Sequence, residues 1–179
     1  RFTSQVKNII DMFRECKSLR SLDLNNFVAS QVNDMNGMLY GCISITSLNL
    51  SNFDTAQVKN MSNMFYGCNS LISLDLSHFI TPKVTDIAEM FSGCNSLILL
   101  DLSNFDTSQV TEMTDIFYQC NCNVTIYFNK TKANKITLIL KNFTEYCSII
   151  KCKSVKLFKK QRKLNGEKAD EIEKMIKED

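Results

Sequence analysis

Five cysteines, Cys16, Cys42, Cys68, Cys94 and Cys120, follow one another at intervals of 26 residues. Other columns keep the same step. Val6, Val32, Val58, Val84 and Val110 form one, and Leu24, Leu50, Leu76 and Leu102 another; Phe27, Phe53, Phe79 and Phe105 form a third. The near-copies "NMFYGCNSLISLDLSHF" and "EMFSGCNSLILLDLSNF" show how much of the unit recurs. Self-similarity at a fixed period of this size marks a stack of like units, each of which buries an apolar face only against its neighbours. The same side chain then recurs at each buried slot, because each slot faces its own copy. Cysteine suits such a slot as a small apolar residue.

Each unit reads as two halves. Leu71-x-x-Leu74-x-Leu76 ends in an alternation that predicts a short strand with one buried face. Val58-x-x-Met61-x-x-Met64-Phe65 spaces its apolar residues by three and four, which predicts a short helix. Thr55, Thr81 and Thr107 stand three residues before the valines, where an N-cap would sit. Gly41, Gly67 and Gly93 follow the helical stretch, where a left-handed residue often ends a helix. The expected fold is therefore an α/β solenoid, with one short parallel strand and one short helix in every 26-residue unit and a C-terminal cap.

Charge divides the chain. Residues 1–128 carry 7 Lys or Arg against 12 Asp or Glu, a net of −5; residues 129–179 carry 14 against 7, a net of +7. The repeat array is read as 1–128, with a partial first unit and a degenerate last strand in "NVTIYFN". A basic cap and tail is read over 129–179. The expected division of the tail is a cap over 129–158 and a partner-seeking arm beyond it, with a helix at 167–177. No run approaches the length of a transmembrane helix. The chain starts in mid-unit, "RFTSQV" aligning with "FDTSQV", as a fragment would.

The string "LDLSNFDTSQVTEMTDIFYQC" at 100–120 resembles the repeat of the BspA-like leucine-rich repeat family, bacterial surface proteins with a 26-residue unit. The likeness covers roughly residues 1–128. It implies a leucine-rich repeat that is secreted or displayed at a cell surface and binds other proteins, host or matrix components among them, in adhesion. The family has no catalytic residues to carry over. One slot departs from general leucine-rich repeats: Phe27, Phe53, Phe79 and Phe105 stand where an asparagine ladder is usual.

The residues themselves point away from an enzyme. The single histidine, His78, fills a slot held by Asn26, Asn52 and Asn104 in the sister units. No Ser–His–Asp set, His pair or glycine-rich phosphate loop appears. Neither catalytic nor metal-ligating residues are assigned, and no cofactor or small-molecule substrate is expected. Cys120-x-Cys122 with Cys147-x₄-Cys152 is a loose version of a zinc spacing, and core thiols plus a tail disulfide are the plainer reading.

The ligand-binding candidates lie on the outward face of the strands and the turn after them. They are the columns Asp23, Asn49, Asp75 and Asp101; Ser51, Ser77 and Ser103; and Asn52, His78 and Asn104. The plainer reading of the Asp column is structural, its carboxylates bonding local backbone or serine. The expected partner is a protein ligand of the host or extracellular matrix. The alternative is an intracellular scaffold whose basic tail, "KCKSVKLFKKQRK" at 151–163, contacts an acidic partner, nucleic acid or an anionic membrane.

Overall fold

The computed structural model describes residues 6–120, 124–128 and 151–154. Its regular elements are short parallel strands. β1 spans Ser21–Asp23, β2 Ser47–Asn49, β3 Ser73–Asp75, β4 Leu99–Leu102, β5 Thr125–Phe128 and β6 Lys151–Ser154. β1 and β2 form one sheet; β3, β4, β5 and β6 form a second, in that order. Every pairing is parallel and in the repeat register, as in Leu22↔Leu48, Leu74↔Leu100 and Leu100↔Ile126. The pairing Thr125↔Lys151 continues the 26-residue step into a segment whose side chains no longer keep the repeat pattern. The strand run "ITLIL" at 136–140, the proposed tail helix and the rest of the cap and arm lie outside the described residues.

The expectation of a helix in every unit, and with it of an α/β solenoid, is overturned. Among the described residues there is no helix, and the two small sheets do not join into one continuous ladder. The reason lies in where the backbone N–H groups go. In a helix each would bond the carbonyl four residues back in its own unit. Here they alternate. The Met38, Tyr40 and Cys42 N–H groups close turns onto Met35, Gly37 and Leu39. The Gly37, Leu39 and Gly41 N–H groups leave the unit and donate to the Ser62, Met64 and Tyr66 carbonyls of the next, at 3.0, 3.0 and 2.8 Å. The same alternation recurs in the units on either side. A left-handed residue every fourth position permits it. Asp11, Gly37, Asn63, Glu89 and Asp115 form one such column, with φ of 53 to 59°. Glu15, Gly41, Gly67, Gly93 and Gln119 form the other, with φ of 54 to 73°. Each left-handed residue reverses the local curl and stops a helix from propagating.

Parallel bridges Asn8↔Asp34↔Asn60↔Asp86↔Glu112 add a second inter-unit ladder. The core lies between these turns and the strands. Met35, Met61, Met64, Phe65, Leu76, Met90 and Leu100 are fully buried in it. Aromatic rings stack from unit to unit, Phe65 on Phe91 at 5.8 Å and Phe91 on Phe117 at 5.5 Å. Phe27 stacks on Phe53 in the same way, with ring centroids 5.5 Å apart. In the first unit the equivalent column is open: Met12 is 47% exposed, whereas Met38, Met64 and Met90 are wholly buried.

Thr55 and Thr81, expected as helix caps, are buried inter-unit ties instead. The Thr55 hydroxyl donates to the Ile80 carbonyl and accepts from the Ile80 N–H. Thr81 does the same with Asp106.

Candidate ligand-binding faces

Three faces carry exposed chemistry. The first is the strand face. Ser21 and Asp23, Ser47 and Asn49, and Ser73 and Asp75 all point to solvent, because alternate strand residues face opposite sides. The register sets Ser21 beside Ser47 and Asp23 beside Asn49. The column of Asp23, Asn49, Asp75 and Asp101 also has a structural task. One side-chain oxygen of Asp23, Asn49, Asp75 and Asp101 accepts the N–H two residues on, at 2.9, 3.2, 2.9 and 2.9 Å. These bonds close the turn after each strand.

The three candidate columns are not equivalent in exposure. Asp23, Asn49, Asp75, Ser51, Asn52 and Asn104 are exposed, and Ser77 and His78 are half-buried. Asp101 and Ser103 are 3% and 8% exposed, and the Ser103 hydroxyl donates to Asp101. These two are buried, unlike the other members of their columns. Several exposed members are tied to the neighbouring unit. The Ser51 hydroxyl lies 3.0 Å from Asn25 Oδ1, the Asn52 amide donates to the Asn25 carbonyl at 3.5 Å, and the Asn104 amide donates to the Ser77 carbonyl. His78 breaks this pattern. Its ring stands edge-on to Phe79 at 5.1 Å, and its Nε2 is buried with no hydrogen-bond partner among the described residues.

The second face is a ridge of stacked rings. Tyr40 lies on Tyr66 at 4.5 Å with planes 3° apart, and the Arg14 guanidinium sits 3.9 Å over Tyr40. Arg14 also pairs with Asp11 at 3.0 Å. These residues share one column, so a single repeat slot builds the ridge. Ser92 interrupts it, its hydroxyl donating to the Tyr118 carbonyl.

The third face is a polar groove lined by Lys7, Asn33, Lys59, Gln31, Gln57 and Lys83. None of its lining residues falls in the candidate strand-face columns. Its signal was present: between residues 21 and 120 the only Lys or Arg are Lys59 and Lys83.

The cysteine column offers no accessible nucleophile beyond the first unit. Cys42, Cys68 and Cys94 are wholly buried, and their thiols donate to the Phe13, Leu39 and Phe65 carbonyls of the preceding unit at 3.1, 3.4 and 3.2 Å. Burial pushes the Cys68 thiol up to about 12 and the Cys42 thiol up to about 11. Cys16 is exposed, and all five ladder cysteines are free thiols. No cluster of three or more His, Cys, Asp or Glu able to hold a metal occurs among the described residues. Cys122 and Cys147, half of the loose zinc spacing, lie outside them. No helix among the described residues is long and apolar enough to cross a membrane.

No curated protein and no solved structure matches the chain. One family model matches it in three overlapping placements, at residues 2–97, 43–151 and 71–175, as expected of a chain that repeats its own unit. Each placement spans more than half of the 179 residues, so the chain belongs to the family described as Mycoplasma protein of unknown function, DUF285.

Proposed function

We propose that this chain is a non-enzymatic protein-binding repeat module, displayed at a cell surface or secreted, and that its ligand lies across the strands of the first three units. The observation that carries this reading is the set of six exposed side chains, Ser21, Asp23, Ser47, Asn49, Ser73 and Asp75, which recur at the same slots of three successive strands, β1 and β2 paired in register and β3 opening the second sheet. Such a face presents hydroxyl and carboxylate or amide groups at fixed intervals, which suits a basic or amide-rich protein surface. The resemblance of 100–120 to the BspA-like surface repeat supports the same reading. Of the ten residues picked out by repeat register, the exposed ones belong to this face or border it, while Asp101 and Ser103 do not contribute.

The test is to block the face without disturbing the turns behind it. The double variant Ser47→Arg and Ser73→Arg places two long cations there while leaving the Asp23, Asn49 and Asp75 turn bonds in place. Surface plasmon resonance against purified extracellular-matrix proteins should detect a ligand for the parent chain and lose it in the variant. Binding that survives the double change would place the ligand elsewhere. No binding to any matrix protein would remove the adhesive reading.

A further inference from the structure

The polar groove of the third face is open, has a volume of about 490 Å³ and runs from the first unit, at Lys7, to the fourth, at Lys83. Its position is fixed by backbone. The Asn33 N–H donates to the Lys7 carbonyl at 2.9 Å, and the Lys59 N–H donates to the Asn33 carbonyl at 2.8 Å. Lys7, Asn33 and Lys59 are therefore successive rungs of one ladder. At about 4.8 Å per rung, the two lysines stand roughly 10 Å apart along the stack. Gln31, Gln57 and Lys83 form the adjoining column, where the Lys83 ammonium donates to Gln57.

The charge distribution singles this groove out. From residue 21 to 120 the array carries ten Asp or Glu and two Lys, and both lysines line the groove. The ion pairs found among the described residues are Arg14 with Asp11 and Lys17 with Glu15. Lys7, Lys59 and Lys83 take part in none of them, although carboxylates outnumber cations across the array. Three cations held together in a groove, and left without carboxylate partners on an acidic body, form a local site for an anion.

The lining decides what kind of anion. Between and beside the lysines stand the amides of Asn33, Gln31 and Gln57, which both donate and accept hydrogen bonds. They suit a ligand rich in hydroxyls or acetamido groups. The lining holds no aromatic ring or arginine plane on which a base could stack, as single-stranded nucleic acid sites require. It has no apolar side chain to receive an acyl chain. The spacing of roughly 10 Å along the ladder is of the order of a disaccharide repeat. We propose that this groove binds an acidic polysaccharide along the stack, with its carboxylate or sulfate groups on Lys7, Lys59 and Lys83 and its hydroxyls on Gln31, Asn33 and Gln57.

The experiment uses the full chain and two variants. The groove variant is Lys59→Gln with Lys83→Gln, both surface changes that retain a polar side chain. The tail variant is Lys159→Gln with Lys160→Gln, which lowers charge at the basic tail by the same amount. Three probes are titrated by calorimetry: a hyaluronan octasaccharide, carrying carboxylates alone; a heparin octasaccharide, carrying sulfates as well; and a single-stranded oligonucleotide of matched charge. The expected result is binding of at least one glycan, weakened at least tenfold in the groove variant and less than threefold in the tail variant, with weaker binding of the oligonucleotide. Preference for one glycan over the other then tells whether carboxylate or sulfate is read. The proposal is overturned if neither glycan binds, or if the groove variant binds like the parent. It is also overturned if the oligonucleotide binds as tightly and is lost in the same variant, which would make the groove a general polyanion site.

Discussion

The Thr55 hydroxyl satisfies both backbone groups of Ile80, donating to its carbonyl at 3.0 Å and accepting from its N–H at 2.9 Å. Thr55 ends one unit and Ile80 stands 25 residues on, so one buried side chain splices two units together. Thr55→Val keeps the shape and removes both bonds. It leaves a donor and an acceptor unpaired, which costs about 2–3 kcal/mol. Urea denaturation should show that loss for Thr55→Val and less than half of it for Thr55→Ser, which keeps the oxygen. A larger loss for Thr55→Ser than for Thr55→Val would mean that packing by the methyl group, and not the splice, holds the junction.

The left-handed columns make opposite predictions for two residues. Gly67 has φ +67°, and a Cβ added there would meet only the Gly41 backbone at 3.8 Å or more, an ordinary contact. Gly67→Ala therefore isolates the backbone cost, about 1–2 kcal/mol of destabilisation. Glu89 has φ +55° and already bears that cost. Glu89→Gly should stabilise by about 1 kcal/mol. Thermal unfolding of both variants checks the pair. A destabilised Glu89→Gly would show that the glutamate side chain makes a compensating contact.

These columns also show where the sequence misled. The strands were legible because Leu74 and Leu76 alternate inward, and the cysteine column because its step never varies. The helix was read from Val58, Met61, Met64 and Phe65, whose spacing of three and four fits a helix. A chain of turns that reverses every fourth residue places the same side chains inward equally well. The cue against a helix was the pair Gly37 and Gly41, four apart, echoed by Asp11 and Asn63 in the sister units. Short polar residues and glycine are the ones that tolerate left-handed backbone. The candidate face was legible as columns, but exposure within a column was not, since Asp75 and Asp101 occupy the same slot and only Asp101 is buried. β6 was illegible because "KCKS" joins the sheet through backbone pairing, with no apolar alternation to announce it.

His78 marks an interruption in the stack. Asn52 and Asn104 each reach back to a carbonyl of the preceding unit, but His78, in the same slot, leaves Nε2 buried and unpartnered among the described residues. The strand ladder breaks at the same junction, between β2 and β3, while the turn ladder runs through it, Met35 N–H to Asn60 carbonyl at 2.9 Å. His78→Asn supplies a donor aimed at the Ser51 carbonyl and removes the orphaned nitrogen. It should stabilise the chain by about 1 kcal/mol. Amide exchange over 47–50 and 73–75 should slow with it. Unchanged exchange would mean that the break has another cause.

The thiol column makes the stability of the chain depend on alkaline pH, and the sign follows from burial. Cys68 is held wholly inside the core, where desolvation disfavours the thiolate and raises its titration from an ordinary 9.0 to about 12; the neighbouring Cys42 adds to the rise. Below pH 9 the thiol is protonated whether the chain is folded or not, and it contributes no pH dependence. Above pH 9 the unfolded chain has released this proton and the folded chain has not. The unfolded state then binds fewer protons, so stability falls as pH rises, by about 1.4 kcal/mol per pH unit for this one group until about pH 12. Lysines and tyrosines titrate in the same range, so the test is a difference between two chains. Cys68→Ala lacks the thiol and keeps the other groups. It should be less stable at pH 7, because it loses the sulfur's packing and its bond to the Leu39 carbonyl. The gap should narrow by about 1.4 kcal/mol between pH 9.5 and 10.5 as the parent chain loses what the variant never had. Urea midpoints measured under reducing conditions at pH 7, 9.5 and 10.5 decide it. Parallel pH profiles for the two chains would mean that the folded state opens enough at this slot to ionise Cys68 as freely as the unfolded one, and the column would not be the sealed core that its burial describes.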